Sequence, residues 1–387
     1  MKGASVAVVG GGVIGASVAY HLAARGIRDV VVLDRAAGPG EGSTGRATGG
    51  FRAQFASAVN VRLSLLAREK LLRFGEEIGV DPGYLAAGYL WLAGTEAELA
   101  ELRAGRMLQQ AEGLHEAVEV DPAEIARLNP ALRLDGVVGG TFCPTDGFIQ
   151  PRRILDGYLD ASRRRGVRIE WETEVTGFTR KGNGRIVAVK TSRGAIEVDA
   201  AVNAAGPWAA PVARMAGVDL PVTPLRRQVA ITTPCELLPA MMPMTIFAGD
   251  GFHLRVRDGR VMLLQPTPGV PSQPFDIRVD PAWIDAVTET AHRRVPVLRR
   301  AAIDRAGCWA GLYEVSPDKH AILGAAPACA NLFLVNGSSG HGVMHAPALG
   351  QLLAEIICEG TASTLDVTAL RPSRFDEGAP NPASGLL

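Results

Sequence analysis

Residues 5–15, SVAVVGGGVIG, decide how this 387-residue chain begins to fold. The short apolar run 5–9 is typical of a central strand in a parallel sheet, which is buried on both faces. The glycine-rich turn leads into a segment of helical composition that stops at Gly26, a residue suited to a helix C-terminus. A second apolar run, residues 29–33, follows and ends at Asp34. Together these segments predict one βαβ unit.

The turn inside this unit carries the pattern Gly10-x-Gly12-x-x-Gly15, and Asp34 lies 19 residues further on. Gly10 allows the tight turn, Gly12 lets backbone N–H groups approach a pyrophosphate, and Gly15 allows close packing of the helix. The helix N-terminus then faces the phosphates, and Asp34 accepts hydrogen bonds from ribose hydroxyls. This context predicts a dinucleotide that contains ADP. The pattern by itself does not distinguish NAD from FAD.

Two later segments favour a flavin. Residues 203–208, NAAGPW, follow a predicted strand, and their small side chains let the backbone approach a ligand. Residues 337–342, GSSGHG, open the last helix, whose positive dipole end would face an electron-rich group such as a reduced flavin. An NAD-linked dehydrogenase needs no such C-terminal loop. Either segment alone is also compatible with an ordinary strand-to-helix turn.

Composition and charge exclude other classes of protein. Lysine plus arginine number 40 and aspartate plus glutamate number 40, so the chain lacks the positive field needed to coat nucleic acid. No apolar run reaches the ~18 residues of a membrane span. Five cysteines without a CxxC pattern, and His341 and His345 without an evident third ligand, predict no metal site. We expect a cytoplasmic protein without a signal peptide.

The chain as a whole resembles the D-amino acid oxidase superfamily of FAD-dependent flavoproteins, nearest to its sarcosine oxidase, glycine oxidase and proline dehydrogenase β-subunit branches. The resemblance extends over about residues 4–360. Besides the N-terminal glycine pattern, it depends on five segments: GSTGR at 42–46, GGFR at 49–52, NAAGPW at 203–208, GLYEVSPD at 311–318 and GHG at 340–342.

The resemblance implies bound FAD and assigns its contacts by position. The N-terminal pattern would hold the pyrophosphate and ribose, residues 43–50 the phosphate and flavin edge, Val175 the adenine, and residues 340–344 the pyrimidine end of the isoalloxazine. The implied FAD-binding residues are Gly10, Gly12, Val13, Ile14, Gly15, Asp34, Arg35, Ser43, Thr44, Arg46, Ala47, Thr48, Gly49, Gly50, Val175, Ala205, Gly206, Trp208, Gly311, Gly340, His341, Gly342, Val343 and Met344.

Three further residues are implied for the substrate. Arg52 falls where sarcosine oxidases place an arginine that binds the substrate carboxylate. His253 falls near a pocket tyrosine of glycine oxidase, and Tyr313 falls where D-amino acid oxidases place their carboxylate-binding arginine.

The chain departs from the resemblance at three positions. Gly311 stands where some sarcosine oxidases have the cysteine that bonds FAD, and Cys308 is three residues away, so we expect non-covalent FAD. Met344 replaces a substrate-binding lysine, which puts sarcosine itself in doubt. Residues 254–318 contain no lysine to activate oxygen, so we expect none near the flavin face, although Arg255 could substitute. This favours a dehydrogenase over an oxidase.

We therefore predict an α/β fold, α+β overall. A Rossmann-like FAD-binding domain would comprise residues 1–85, 145–220 and 318–370, and an inserted mixed or antiparallel sheet, residues 86–144 and 221–317, would form the substrate domain. A loose tail would follow from 371 to 387.

The predicted reaction is oxidation of the C–N bond of an amino acid by hydride transfer to flavin N5. A secondary or cyclic amine such as proline, hydroxyproline, sarcosine or an N-substituted glycine is favoured, with oxygen, a quinone or a partner subunit as electron acceptor. The alternatives are an amino-acid oxidase that forms H2O2, a flavin-bearing β-subunit active only in a hetero-oligomer, a non-catalytic FAD-binding interaction protein and an NAD-dependent dehydrogenase.

Overall fold

The predicted βαβ unit is present, and it opens the chain. The computed structural model describes residues 3–182, 184–267 and 273–382. Within these ranges, strand Ala4–Val9 leads through the glycine turn into helix Val13–Ala24, and strand Val30–Leu33 pairs in parallel with the first strand.

The described residues form two large sheets, one two-stranded sheet and the helices that cover them. The strands are β1 (Ala4–Val9), β2 (Val30–Leu33), β3 (Gly50–Phe51), β4 (Tyr89–Ala93), β5 (Val118–Val120), β6 (Gly139–Cys143), β7 (Gly147–Phe148), β8 (Arg168–Glu170), β9 (Val175–Arg180), β10 (Ile186–Thr191), β11 (Gly194–Asn203), β12 (Thr223–Ile231), β13 (Met244–Phe247), β14 (His253–Arg257), β15 (Arg260–Leu264), β16 (Trp309–Val315), β17 (Ile322–Ala326) and β18 (Cys329–Asn336).

The α-helices of the described ranges are α1 (Val13–Ala24), α2 (Ala58–Leu72), α3 (Phe74–Ile78), α4 (Glu96–Ala111), α5 (Pro122–Leu128), α6 (Pro151–Arg164), α7 (Ala209–Met215), α8 (Pro281–Arg294) and α9 (Gly342–Glu359). In this part of the chain, no helix is both long and apolar enough to cross a membrane.

The first sheet has the order β17-β18-β11-β1-β2-β8, and it is extended by β10, which pairs with β11, and by β9, which pairs with β10. The pairs from β18 to β8 are parallel, and β17 is an antiparallel edge. Helices α1, α2, α6 and α9 pack over one face of this sheet, and β9, β10 and α7 cover the other. Burial on both faces explains why β2 is apolar throughout and why Ser5 is the one polar residue of β1.

The second sheet has the order β16-β12-β15-β14-β13-β4-β6-β5. All its pairs are antiparallel except that of β13 with β4. Helix α8 buries an apolar face against β12, β14 and β15. The expectation of an α/β fold with a mixed second sheet is therefore confirmed.

The strands of the two large sheets fall on opposite sides of the predicted domain boundaries. Every strand of the first sheet lies within 1–85, 145–220 or 318–370, and every strand of the second within 86–144 or 221–317. The division into two domains itself stays a prediction.

The expected loose tail is wrong for its described part. Arg374 lies in a short 3-10 helix and is fully buried, with its guanidinium 2.8 Å from the carboxylate of Asp318. The backbone and side chain of Asn381 also donate to that carboxylate, both at 3.0 Å. The reason is that the buried Asp318 carboxylate requires a cation and hydrogen-bond donors, which the tail supplies. The proline and glycine content of the tail does not indicate this requirement. Residues 383–387 of the predicted tail lie outside the described residues.

Candidate functional site

A cavity of about 910 Å³ lies at the carboxyl ends of β1 and β2 and reaches the second sheet. This position is where open α/β sheets bind nucleotides, and the volume is at the upper end of the range for small-molecule sites. Every predicted FAD-binding or substrate residue lines this cavity except Gly15. A Cβ on Gly15 would collide with the carbonyl oxygen of Gly10, so Gly15 allows the turn to close rather than touching the ligand space.

The glycine turn has the geometry that a pyrophosphate requires. Gly10 has φ +110°, and a Cβ there would collide with the carbonyl of Ala204. Gly12 is the N-cap of α1, so the free N–H groups of the first helical turn open towards the cavity. The Thr44 hydroxyl already accepts from one of them, Val13 N, at 3.1 Å.

The adenosine end of the cavity is formed around Asp34. Its carboxylate accepts from Gly11 N at 2.6 Å and from Ala36 N at 2.8 Å, which fixes it at the end of β2. Arg35 lies 4.4 Å above the ring of Trp208, and Trp208 stacks on Phe275 with centroids 5.5 Å apart. Together with Val175, these groups form a flat, partly apolar recess suited to a nucleotide base.

The opposite end of the cavity meets the N-terminus of the 18-residue helix α9. Two buried side-chain atoms that face this region, Ser338 Oγ and Glu314 Oε2, have no hydrogen-bond partner among the described residues. Burial raises the pKa of Glu314 to about 7, although its other carboxylate oxygen accepts from Ser338 N at 3.4 Å. Orphaned polar atoms on a cavity wall fit a bound polar group. The cavity's volume, its helix N-termini and its glycine cradle therefore fit FAD.

Arg52 is held beside this flavin end. It is buried, and its Nη1 donates to the Gln54 carbonyl at 2.7 Å while its Nη2 lies 3.2 Å from His341 Nε2. Because a guanidinium only donates, His341 Nε2 is the acceptor and the ring is neutral. Burial, with the nearby positive charge of Arg52, keeps the pKa of His341 well below its usual value. The guanidinium also lies 4.1 Å from the Phe55 ring centroid.

A buried carboxyl fixes the backbone next to Arg52, and sequence reasoning missed it. Asp146 accepts from Ala53 N at 2.7 Å and from Gln54 N at 3.4 Å. Burial raises its pKa to about 7, which outweighs these hydrogen bonds and the attraction of Arg52. Its position in a turn just before β7 gave no sequence signal for this contact.

His253 and Tyr313 face the same part of the cavity from β14 and β16. The His253 Nδ1–H donates to the Gly251 carbonyl at 2.8 Å, which leaves Nε2 with its lone pair as an acceptor. Burial, reinforced by Arg52 and Arg227, lowers the pKa of His253 to about 4, so the ring is neutral at pH 7.

Two cations that line the cavity were not predicted. Arg227 on β12 has its guanidinium 5.7 Å from the Tyr313 ring centroid. Lys319, in the turn after β16, also lines the cavity, so the expectation that no lysine lies near the flavin face is wrong. Lys319 is the first residue after the lysine-free stretch 254–318. For Arg227, the sequence indicated only that a cation lies within the predicted inserted segment 221–317.

Arg255, suggested as a substitute cation, does not line the cavity. It is buried, with its guanidinium 3.5 Å from the Phe148 ring centroid, and its Nη1 donates to the carbonyls of Thr48 and Gly49 at 2.8 and 3.2 Å. Burial lowers its pKa to about 10. It stabilises the loop that lines the cavity instead of facing the ligand.

The thiol of Cys308 is also turned away. It donates to the Asp304 carbonyl at 3.3 Å and does not line the cavity. Among the described residues, no group of three histidine, cysteine, aspartate or glutamate side chains is arranged to hold a metal ion.

Comparisons with known proteins agree with this geometry. A family model described as DAO, FAD dependent oxidoreductase, matches residues 5–356. The mitochondrial dimethylglycine dehydrogenase of Rattus norvegicus is 30% identical over 393 residues, which cover 96% of this chain and 45% of that protein. This chain therefore spans less than half the length of that relative.

Two further similar proteins match over nearly their full length. The glycine oxidase of Geobacillus kaustophilus is 28% identical over 363 residues, covering 91% of this chain and 92% of that protein. The crystal structure of L-proline dehydrogenase from P. horikoshii superposes with a TM-score of 0.89 at 28% identity, covering 98% of this chain and all of that one.

Proposed function

This chain belongs to the family of FAD-dependent oxidoreductases, and on that premise we propose that it oxidises the C–N bond of an amino acid, preferably a secondary or cyclic one. One observation carries the proposal. Arg52 and a neutral His253 face the same part of the cavity, at the end remote from the Asp34 recess. An α-amino acid requires two contacts: a cation that binds its carboxylate and a hydrogen-bond acceptor for its N–H group.

In this proposal FAD is held non-covalently by the glycine turn, Asp34 and the N-terminal turn of α9, and when bound it supplies the hydride acceptor at N5. The side chains position the substrate. Arg52 binds the carboxylate through its two-pronged donor geometry, although part of that fork already bonds Gln54 and His341. The hydride then leaves the α-carbon of an oriented substrate, and orientation lowers much of the barrier.

The amine must be neutral when the hydride leaves. The positive charges of Arg52 and Arg227 disfavour a substrate ammonium and so lower the pKa of the bound amine. His253 Nε2 accepts a hydrogen bond from the remaining N–H and orients the nitrogen lone pair. With a pKa of about 4, His253 orients the amine but is too weak a base to deprotonate an ammonium.

We propose that the enzyme is a dehydrogenase, whose electron acceptor is a quinone or a partner subunit. Residues 254–318 contain no lysine to attract oxygen, and Arg255, the substitute cation, is turned to the loop carbonyls. A hetero-oligomer in which this chain is the flavin-bearing subunit is compatible with the proposal.

One observation favours a second candidate, an oxidase that forms H2O2. Lys319 lines the cavity, and a cation near a reduced flavin accelerates its reaction with oxygen. The comparison of wild type with Lys319→Met separates the two. Rapid reoxidation by air that slows in the variant supports the oxidase, and slow reoxidation in both supports the dehydrogenase.

The decisive test of the C–N chemistry is anaerobic reduction of the purified holoenzyme. Proline, hydroxyproline, sarcosine, N-ethylglycine, glycine and D-amino acids are mixed with it, and the flavin absorbance is followed. Bleaching by at least one amino acid, with release of FAD on acid precipitation, is expected. No bleaching by any member, with dithionite still bleaching the flavin, would contradict the proposal and favour a non-catalytic FAD-binding protein.

A further inference from the structure

The end of the cavity that Arg52, His253 and Tyr313 line is called the substrate end. It contains a second guanidinium for which the proposed reaction has no binding role. Arg227 lies on β12, whose pairing with β16 sets Leu225 opposite Tyr313 and Arg227 opposite Gly311. It is half-buried, and its ring contact with Tyr313 is at 5.7 Å. Over residues 3–182, 184–267 and 273–382, no hydrogen bond or ion pair satisfies the Arg227 guanidinium.

The neighbouring arginine on the same strand is different. Arg226 donates to the Arg278 carbonyl at 2.9 Å and lies 3.7 Å from the Asp276 carboxylate. Successive side chains of a strand point to opposite faces, so only Arg227 faces the cavity. The Arg227 donors therefore lie on the ligand side of the sheet.

Arg227 and Arg52 act on the same groups. Both lower the pKa of His253, and both oppose the burial that raises the pKa of Tyr313. Both guanidinium groups also line the cavity together with His253 and Tyr313. Lys319 adds a third positive charge to the cavity wall.

The acidic groups of the cavity lie elsewhere. Asp34, Glu41 and Glu174 belong to the loops at the nucleotide end. Glu314 lines the cavity next to the N-terminus of α9, where its carboxylate accepts from Ser338 N at 3.4 Å, and burial raises its pKa to about 7. The cavity thus offers two guanidinium groups, Arg52 and Arg227, whereas a simple α-amino acid has one carboxylate.

We propose that Arg227 binds a second carboxylate of the substrate, so that the preferred substrates are amino acids with two acidic groups. This assignment deepens the proposed function and depends on it for the position of the first carboxylate. A planar guanidinium with free N–H donors matches a carboxylate through two parallel hydrogen bonds. The second acid can belong to the side chain or to a carboxymethyl group on the nitrogen, because both chemistries present the same anion.

The test uses pairs of compounds of similar size that differ in one acidic group. Glutamate is compared with norvaline, in both enantiomers, and N-carboxymethylglycine with N-ethylglycine. The half-saturating concentration for anaerobic flavin reduction is measured for wild type, Arg227→Met, Arg227→Lys and the matched control Arg226→Met. FAD content and thermal midpoint are recorded for each variant, so that a folding defect is recognised.

In wild type, a dicarboxylate is expected to half-saturate at a concentration at least about tenfold below its monocarboxylate partner, the effect of one charge-assisted pair. Arg227→Met is expected to abolish this advantage, Arg227→Lys to keep part of it and Arg226→Met to keep it whole. The glutamate pair and the N-carboxymethyl pair show which position carries the second acid. Equal half-saturation within both pairs in wild type, or an equal loss for both members in Arg227→Met, would overturn the assignment.

Failure of the proposed function gives a different result. If no amino acid reduces the flavin, glutarate and butyrate are titrated into the holoenzyme and the shift of the flavin spectrum is followed. Tighter binding of glutarate that is lost in Arg227→Met would support the diacid site without amino-acid oxidation. Equal binding of both acids would overturn the site as well.

Discussion

At the scale of single residues, the contacts of Arg52 explain how a buried cation can be ready for a ligand. Its Nη1 is bonded to the Gln54 carbonyl and its Nη2 to His341, while Phe55 and Trp91 pack against the guanidinium plane. These contacts fix the side chain before the substrate arrives, so little conformational entropy is lost on binding.

Replacing Arg52 by Met is expected to raise the half-saturating amino-acid concentration by roughly 10²-fold, because a charge-assisted pair with the carboxylate is lost. Arg52→Lys keeps the charge but not the two-pronged geometry, so an intermediate value is expected. Anaerobic flavin reduction measures both, with the exposed Arg299→Met as control. Unchanged half-saturation in Arg52→Met would remove the carboxylate role.

The pH dependence of the reaction tests the role of His253. Since its pKa is about 4, the ring stays neutral from pH 5 upward and does not titrate in the working range. Any limb of kcat/KM that rises between pH 6 and 9 is therefore expected to report the substrate amine or the buried carboxyls of Asp146 and Glu314, and to persist in His253→Gln. A limb that disappears in this variant, with FAD content unchanged, would identify His253 as a base.

Sequence reasoning identified the glycine turn and Asp34, which line the cavity, and missed two cations that line it, Arg227 and Lys319. The glycine pattern and Asp34 act through backbone geometry within one βαβ unit, so local spacing defines them. Arg227 and Lys319 meet at the cavity only because β12 pairs with β16 across more than eighty residues of chain. No local pattern encodes such a pairing, and an arginine that faces a ligand has the same letter as one that faces solvent.

At the scale of elements, the loop before α9 meets the strand β16 more closely than a side chain allows. Gly340 has φ +95°, and a Cβ there would lie 2.5 Å from the Tyr313 ring. Both the backbone conformation and the contact therefore require glycine.

Gly340→Ala is expected to weaken FAD binding by at least about tenfold, since strain of roughly 1–3 kcal/mol would shift the loop or the Tyr313 ring. Gly75→Ala in α3, where the nearest atom to the added Cβ is 4.0 Å away, serves as the control. FAD dissociation constants from fluorescence titration of the apoprotein measure the effect. Equal affinity in both variants would mean that the loop adapts without cost.

The two sheets differ in how far sequence predicts them. β2 is apolar along its whole length and β1 at every residue but Ser5, a pattern that indicates a parallel sheet buried on both faces. The order of the second sheet depends on β13 lying beside β4, whose sequences are about 150 residues apart.

At the scale of the whole molecule, the C-terminal segment is attached to the turn after β16 by one buried ion pair. Arg374 and Asp318 are almost fully buried, and Asp318 also receives the hydrogen bonds of Asn381. These contacts hold the pKa of Asp318 well below its usual range.

Arg374→Met is expected to lower the free energy of unfolding by about 3–5 kcal/mol, because the carboxylate of Asp318 stays buried without its cation. Arg371→Met, which removes an exposed pair with Glu377, is expected to cost at most about 1 kcal/mol. Urea unfolding at pH 7 followed by circular dichroism gives both values. A similar, small loss in the two variants would contradict the structural role of the buried pair.

Three of the five tryptophans of the chain, Trp91, Trp171 and Trp208, line the FAD cavity. An isoalloxazine absorbs at the wavelengths where indole emits, so tryptophans this close to bound flavin lose their excitation by energy transfer. The tryptophan fluorescence of the protein is therefore expected to report how much FAD is bound. Its intensity should be low with FAD bound and should increase as FAD dissociates. Stopped-flow recording of that emission therefore yields the rates of cofactor entry and exit without a label.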